Sequence, residues 1–372
     1  MNDFERARVA KETRNICKKG FYQHPVTKRP TSIAEELKFA IDNTTFIADG
    51  VRIEKPQVKE KPRETKFAVI NATTLEVAAS MDEYADIVTV QNFASGHHVG
   101  GGYLKGRDAQ EEYLCRATGL YECLSRSKCA KFYVLANSDK PGLNSDNVIL
   151  SPRVPVFRKD DSTLREEVSL VNVISCAGVN MRKTTNKEYE HAMNMRCRRV
   201  LEAAVGMGAK YLVLGAFGAG VFRNDPHKVA GYFSAWLKKD FYNVFTEVVF
   251  AIAGPEDSPN LKAFEYAFKK REATHPAQLL LDELEEDVAQ LAKEYAEQVW
   301  SSDSEESELV QDDAEEKAYE SENDTWKGFT QSDIDEVLRA DQDLLAAIEN
   351  NPNTRRERAP LTEDSEDPNL GN

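Results

Sequence analysis

Between residues 67 and 270 the chain alternates short β-branched, apolar runs with longer segments of helical period, and this alternation narrows the fold more than any other feature. The runs 67–71 (FAVIN), 87–93 (IVTVQNF), 169–176 (SLVNVISC), 211–216 (YLVLGA) and 248–253 (VVFAIA) read as strands. Segments 75–84, 109–124, 186–205, 225–239 and 260–270 carry helical spacing between and after them. Such an order predicts an α/β protein, a mostly parallel sheet covered by helices on both faces. One stretch departs from the rhythm. The segment 147–158 (NVILSPRVPVFR) is extended, and Pro152 and Pro155 predict an edge strand or a bulge. Upstream, 1–66 opens with a helical pattern and passes into the Lys/Pro-rich run EKPQVKEKPRETK, so a helical extension and a connector are expected.

The net charge of −15 is unevenly distributed. From His275 onward about 29 Asp/Glu stand against about 7 Lys/Arg, roughly −22, which leaves residues 1–274 at about +7. A basic body suits a phosphate-bearing or polyanionic ligand. The segment 275–372 is acidic, polar and poor in core residues, so a disordered acidic C-terminal tail is expected after a folded domain of residues 1–274. Two amphipathic islands in that tail, 278–299 and 333–348, are read as short helices; a protein partner for them is the less favoured alternative. No apolar run reaches the roughly 18 residues of a membrane span, and the opening MNDFERARVAKETR lacks the apolar core of a secretory signal. Six cysteines without C-x-x-C or Cys/His zinc spacing predict a reduced, intracellular chain, in cytoplasm or nucleus. His97 and His98 have no companion in a ligand pattern, so neither a metal nor a cofactor is expected.

Two glycine-rich loops follow strands. In the first, VGGGYLKGRDAQEEYL, Gly100, Gly101 and Gly102 come just after the 87–93 strand, and Gln110, Glu111 and Glu112 open a helix. Glycine permits positive φ and lets backbone lie directly against a ligand. In the second, GAFGAGVFRNDP, the run Gly218, Ala219, Gly220, Val221 and Phe222 leads to a helix capped by Asn224 or Asp225, with Pro226 in its first turn. Inward-curving N–H groups there suit a pyrophosphate. Neither the G-x-G-x-x-G dinucleotide fingerprint nor a P-loop is present. A single loop of this kind reads equally well as a plain strand–helix turn. Two loops at strand ends argue for a ligand site outside the carboxyl edge of the sheet.

The adjacent carboxylates of Glu111 and Glu112 should raise at least one pKa by mutual repulsion and burial, while the helix N-terminus opposes the shift. A group kept protonated near neutrality could act as general acid on a glycosidic oxygen and then as base toward water. Neighbours on a helix point about 100° apart, so the two should have different tasks. Taken alone, the pair reads as a first turn enriched in Glu for dipole reasons.

It does not stand alone. The sequence GGG, seven residues, then QEE resembles the signature of poly(ADP-ribose) glycohydrolases of the microbial type. The resemblance covers most of residues 5–270 and includes Ala10–Thr13 (AKET), 90–95 (VQNFAS), LCRATGLYECL, ILSPRVPVFR and GAFGAGVFRNDP. It implies a three-layer α/β/α macrodomain-like sandwich with a mostly parallel mixed sheet. The implied reaction is metal-free hydrolysis of the ribose–ribose O-glycosidic bond of poly(ADP-ribose), releasing ADP-ribose. By the same resemblance Glu112 matches the catalytic acid/base and Glu111 the residue that fixes the distal ribose. The ligand-binding set is Asn92, Gly100, Gly101, Gly102, Gln110 and the diphosphate loop from Gly218 through Ala219, Gly220 and Val221 to Phe222, the last packing on the ligand. Asn71 and Thr74 sit where adenine would be read, but they serve equally well as helix caps, which is preferred.

The chain departs from the family where His98-Val99 replaces Asn-Pro before GGG, and where ISCAGVN replaces a Ser-Pro-Ala-Val-Asn pattern. The expected partners are poly(ADP-ribose) or ADP-ribosylated proteins, with no membrane, no sequence-specific nucleic acid, and a monomeric state. Two alternatives stay open: a binding module without turnover, and a hydrolase of mono-ADP-ribose linked to protein or nucleic acid.

Overall fold

The computed structural model describes residues 1–53, 64–135, 140, 142–182 and 187–269. The tail expected from 275, its two islands, the boundary at 274 and most of the Lys/Pro-rich connector lie outside these residues. In chain order the elements are α1 (Asp3–Lys19), β1 (Phe21–Gln23), β2 (Pro30–Ser32), α2 (Ala34–Asn43), β3 (Thr45–Ile47), β4 (Lys66–Ile70), α3 (Thr74–Met81) and β5 (Val88–Ala94). There follow α4 (Gln110–Ala117), α5 (Leu120–Leu124), α6 (Ala130–Leu135), β6 (Val148–Arg158), β7 (Leu164–Ala177), α7 (Lys187–Gly206), β8 (Tyr211–Leu214), α8 (Pro226–Lys238), β9 (Glu247–Ala251) and α9 (Pro259–Phe268).

Seven strands form one mixed sheet in the order β3-β6-β7-β5-β8-β9-β4. Strands β7, β5, β8, β9 and β4 are mutually parallel, and β6 is antiparallel to both β3 and β7. The alternation along β5 explains the layering. Asn92 points to the face where α4 lies and bonds Glu111, while Phe93 points to the other and meets Phe217. On that second face Ile174, Cys176, Leu212, Leu214, Val248 and Phe250 join α7, α8 and α9 in one buried core. Helices therefore cover both faces, as the strand–helix alternation predicts.

Two expectations need correction, and a third, the edge or bulge at the prolines, holds. The N-terminal segment is not an extension: β3 is a strand of the main sheet, and α1 packs against α4 and the glycine loop before it. The helix expected over 109–124 is broken, because Thr118 leaves it to form a β-bridge with Val156 and the Gly119 N–H donates to Pro155 O at 3.0 Å. The proline strand β6 is interior at one end and an edge at the other. β3 covers only Val148–Leu150, so Pro152 and Pro155 fall on the half where no neighbouring strand asks for their missing N–H. The bulge is present, with the register shifting between Ser151 and Val154 and Arg153 at φ 54°.

Candidate active site

β5 sits between β7 and β8, and the chain reaches one on each side of it. Connections that leave in opposite directions open a crevice at the carboxyl ends of such strands. The first glycine loop leaves β5 there and the second leaves β8.

Both acids are buried on the first turn of α4, Glu111 at 2 % and Glu112 at 8 % exposure. Glu111 is held from the strand side: the Ser95 N–H donates to Oε2 at 2.7 Å and Asn92 Nδ2 to Oε1 at 3.3 Å. Asn92 Nδ2 also donates to Ser175 Oγ on β7 at 3.0 Å. Glu112 is held from the glycine side, where its Oε1 accepts the Gly102 N–H at 2.8 Å. Burial first, and then the adjacent Glu112, push the Glu111 carboxyl well above the usual carboxylate range against the two donors that oppose the shift. Glu111 thus retains its proton to higher pH than an isolated glutamate. Gly101 explains why the loop is glycine. It sits at φ 57°, and a Cβ there would overlap Glu112 Oε1 and stand 3.2 Å from Glu111 Oε2.

α1 forms the back wall of this loop. Tyr103 is buried and its hydroxyl donates to Ala10 O at 3.0 Å. Arg6 Nε donates to Gly106 O at 2.6 Å, and a Cβ on Gly106 would collide with Asp3 O. Arg6 and Arg116 both pair with Asp108, and Arg116 also donates to Arg107 O at 2.6 Å. Gly100 rests on the Tyr121 ring, which Arg14 covers at 5.0 Å. The loop carrying the acids' backbone donor is clamped at both ends.

The second loop is stapled by one side chain. Asn224 Nδ2 donates to Val179 O at 2.7 Å and to Gly218 O at 3.0 Å, and its N–H also reaches Gly218 O. Gly218 has φ 69°, and a Cβ there would press on Asn224 Nδ2 at 2.6 Å. Among the described residues the N–H groups of Gly218, Gly220, Val221 and Phe222 have no protein acceptor. Such a row of unpaired amides has the chemistry to accept an anion. The helix end contributes less than expected, because Asp225 is the N-cap of α8 and its carboxylate already accepts the His227 N–H at 2.9 Å. Phe93 links the two loops, its ring 5.5 Å from that of Phe217 and against Gly215.

Residues 10–159 match the family model of the microbial-type PARG catalytic domain. Poly(ADP-ribose) glycohydrolase from Thermomonospora curvata is 35 % identical over 71 % of this chain and 100 % of its own, with a TM-score of 0.66. The chain belongs to the poly(ADP-ribose) glycohydrolase family. The structure of the Thermomonospora curvata glycohydrolase bound to the inhibitor ADP-HPD matches at 36 % identity over 71 % of this chain and 100 % of that one, TM-score 0.64. The Deinococcus radiodurans glycohydrolase in complex with ADP-ribose matches at 30 % identity over 63 % and 97 % of the two chains, TM-score 0.57. No curated protein sequence matches at a significant level.

Within this glycohydrolase fold, most of the residues singled out from sequence lie at or after the carboxyl ends of two neighbouring strands: Asn92, Gly100, Gly101, Gly102, Glu111 and Glu112 on the β5 side, and 218–222 on the β8 side. Gln110 has a stitching role. Its Oε1 accepts the Phe93 N–H at 2.9 Å, and its Nε2 donates to Gln91 O at 2.7 Å and Thr74 Oγ1 at 3.1 Å. The preference for Asn71 or Thr74 as a helix cap is overturned. Thr73 caps α3 in a reciprocal box with Glu76, while Asn71 Oδ1 accepts the Gly254 N–H at 3.1 Å. Sequence reasoning missed Ser95, Ser175, Arg6 and Asn224 as supports. Only Asn224 carried a local signal, and it was read as a cap. His98 is half-buried, and burial followed by the neighbouring His97 lowers its pKa. All six cysteines are buried free thiols, and among the described residues no helix is long and apolar enough to cross a membrane.

Proposed function

We propose that the chain hydrolyses ribose–ribose O-glycosidic bonds in poly(ADP-ribose) and releases ADP-ribose. The observation that carries this reading is the pairing of two loops at one strand junction. Glu112 rests on Gly101 and Gly102, and the unpaired amides of Gly218 and Gly220 through Phe222 lie on the neighbouring strand's loop. The amides would hold a diphosphate, and Phe222 would pack on the ligand. Glu111 would fix the distal ribose.

Glu112 then acts in two steps. As the acid it gives its proton to the glycosidic oxygen as the C–O bond breaks, and the departing chain leaves as an alcohol. The oxocarbenium-like sugar is stabilised by the diphosphate's negative charge. As the carboxylate it takes a proton from the water that adds to the anomeric carbon, which restores its starting state. One acid suffices for both steps.

Residues 1–274 form the catalytic part in this reading, a macrodomain-like sandwich, followed by the acidic segment 275–372. The chain works as a monomer inside the cell. Incubation with automodified poly(ADP-ribosyl)ated protein tests the function. Free ADP-ribose is the expected product; polymer bound but left intact would favour the binding-module alternative.

A further inference from the structure

We propose that Asp160, at the tip of the β6–β7 hairpin, is a positioning residue that sets the first turn of α4 and hence the two acids; the inference rests on the glycohydrolase reading of the site. The hairpin carries register shifts between Ser151 and Val154 and between Val156 and Arg158, irregularities of the kind that bend a paired strand. Its tip lies against α3 and α4, because Asp160 accepts hydrogen bonds from the Tyr113 hydroxyl, through Oδ1, and from the Thr73 hydroxyl, through Oδ2. The two hydroxyls are themselves 3.4 Å apart. Tyr113 directly follows Glu112, and Thr73 precedes the Thr74 that receives Gln110. One carboxylate therefore fastens the start of the acid-bearing helix to the start of α3.

The hairpin takes a second hold one turn later. Arg158, 3 % exposed, donates through Nε to Thr13 Oγ1 at 3.0 Å, and Thr13 Oγ1 donates to Arg116 O at 2.7 Å. Its Nη1 donates to Ser162 O at 2.7 Å, which ties the tip to the same point. Two hydroxyls fix a carboxylate by direction as well as distance, which suits registration of a helix better than a surface ion pair does. Asp160 contacts neither glycine loop through a hydrogen bond, so its effect reaches the reaction through α4.

The test is steady-state hydrolysis of poly(ADP-ribose) by Asp160→Ala, Asp160→Asn and Tyr113→Phe, with ADP-ribose affinity measured by calorimetry. A small displacement of the acids should lower kcat about 10- to 100-fold in Asp160→Ala, with a clearly smaller loss of ADP-ribose affinity, through Glu111. Asp160→Asn keeps one acceptor oxygen and should recover part of the rate. The double variant Asp160→Ala/Tyr113→Phe should be no slower than the slower single variant, because both remove the same link. Unchanged kcat with only a lower melting temperature would overturn the proposal. So would a raised KM and weaker ADP-ribose binding at normal kcat, which would make Asp160 a ligand contact. If Asp160→Ala does not fold, Tyr113→Phe is judged by the same criteria. If the wild-type chain itself releases no ADP-ribose, the functional reading fails, and hydrogen exchange decides the positioning separately. Amides at 110–113 should exchange at least about tenfold faster in the variant while those of α8 do not change, and equal rates would overturn it.

Discussion

The two glycine loops leave neighbouring parallel strands, yet they use their backbone amides in opposite ways. In the first, three successive amides are turned inward: Gly101 donates to His98 O, Gly102 to Glu112, and Tyr103 to Gly100 O. In the second, Gly218 and Gly220 through Phe222 keep amides without a protein acceptor among the described residues. The first loop is clamped by α1 and lies over two buried acids, whereas the second is stapled by Asn224 and exposes Val221 at 65 %. Similar composition thus serves two tasks. One loop holds the Glu112 carboxylate, and the other leaves a row of amides unpaired among the described residues.

The comparison can be broken most forcefully at Gly101. A valine there must adopt φ 57° and displace Glu112, so Gly101→Val should abolish turnover. The expected loss of rate is at least about 100-fold, measured on folded protein confirmed by circular dichroism. Near-normal turnover would show that the first loop does not set the acid.

Asn224→Ala addresses the other loop. It removes the bonds to Val179 O and Gly218 O and frees the second loop to change shape. ADP-ribose affinity should fall about tenfold, roughly the effect of 1.4 kcal/mol, with kcat reduced much less. A kcat loss at unchanged affinity would reverse the roles assigned to the two loops.

The smallest effect concerns the acids' environment. Burial and Glu112 raise the folded-state pKa of Glu111 above its unfolded value, so the native state favours the protonated carboxyl. The stability this contributes is fully present below the ordinary glutamate pKa of about 4.3 and is lost as pH rises through the folded value. Glu111→Gln lacks that titration, and Asn92, whose Oδ1 has no partner among the described residues, can turn its amide to accept from the new NH₂. The variant should therefore gain on wild type as pH increases, by about 2–4 °C in melting temperature at pH 8 relative to pH 4. A difference that stays constant with pH would contradict the assigned burial cost.

Much of this was legible in the chain because its signals are local. Strand and helix periods run continuously from 67, and the glycines stand beside the acids they serve. What escaped depends on partners distant in sequence. Thr118 is a sound helix residue until Val156 captures it in a β-bridge. α1 looks like an appendage until Tyr103 and Gly106, some 100 residues on, are seen to bond it. Thr73 outcompetes Asn71 and Thr74 as the cap because Glu76 completes a box three residues later, a pattern present in the sequence but overlooked. The Asp225 cap was legible, but not that its carboxylate would already occupy the His227 N–H at the helix end.

The central claim, that chemistry belongs to the first loop and anion binding to the second, meets its most direct test in Glu112→Gln. Polymer hydrolysis and ADP-ribose calorimetry should be measured on the same preparation. The amide keeps the shape of the side chain and an acceptor for the Gly102 N–H but cannot deliver a proton. Hydrolysis should fall about 10²–10⁴-fold while ADP-ribose binds within about threefold of wild type. Turnover near the wild-type rate, or affinity lost in step with rate, would contradict the account.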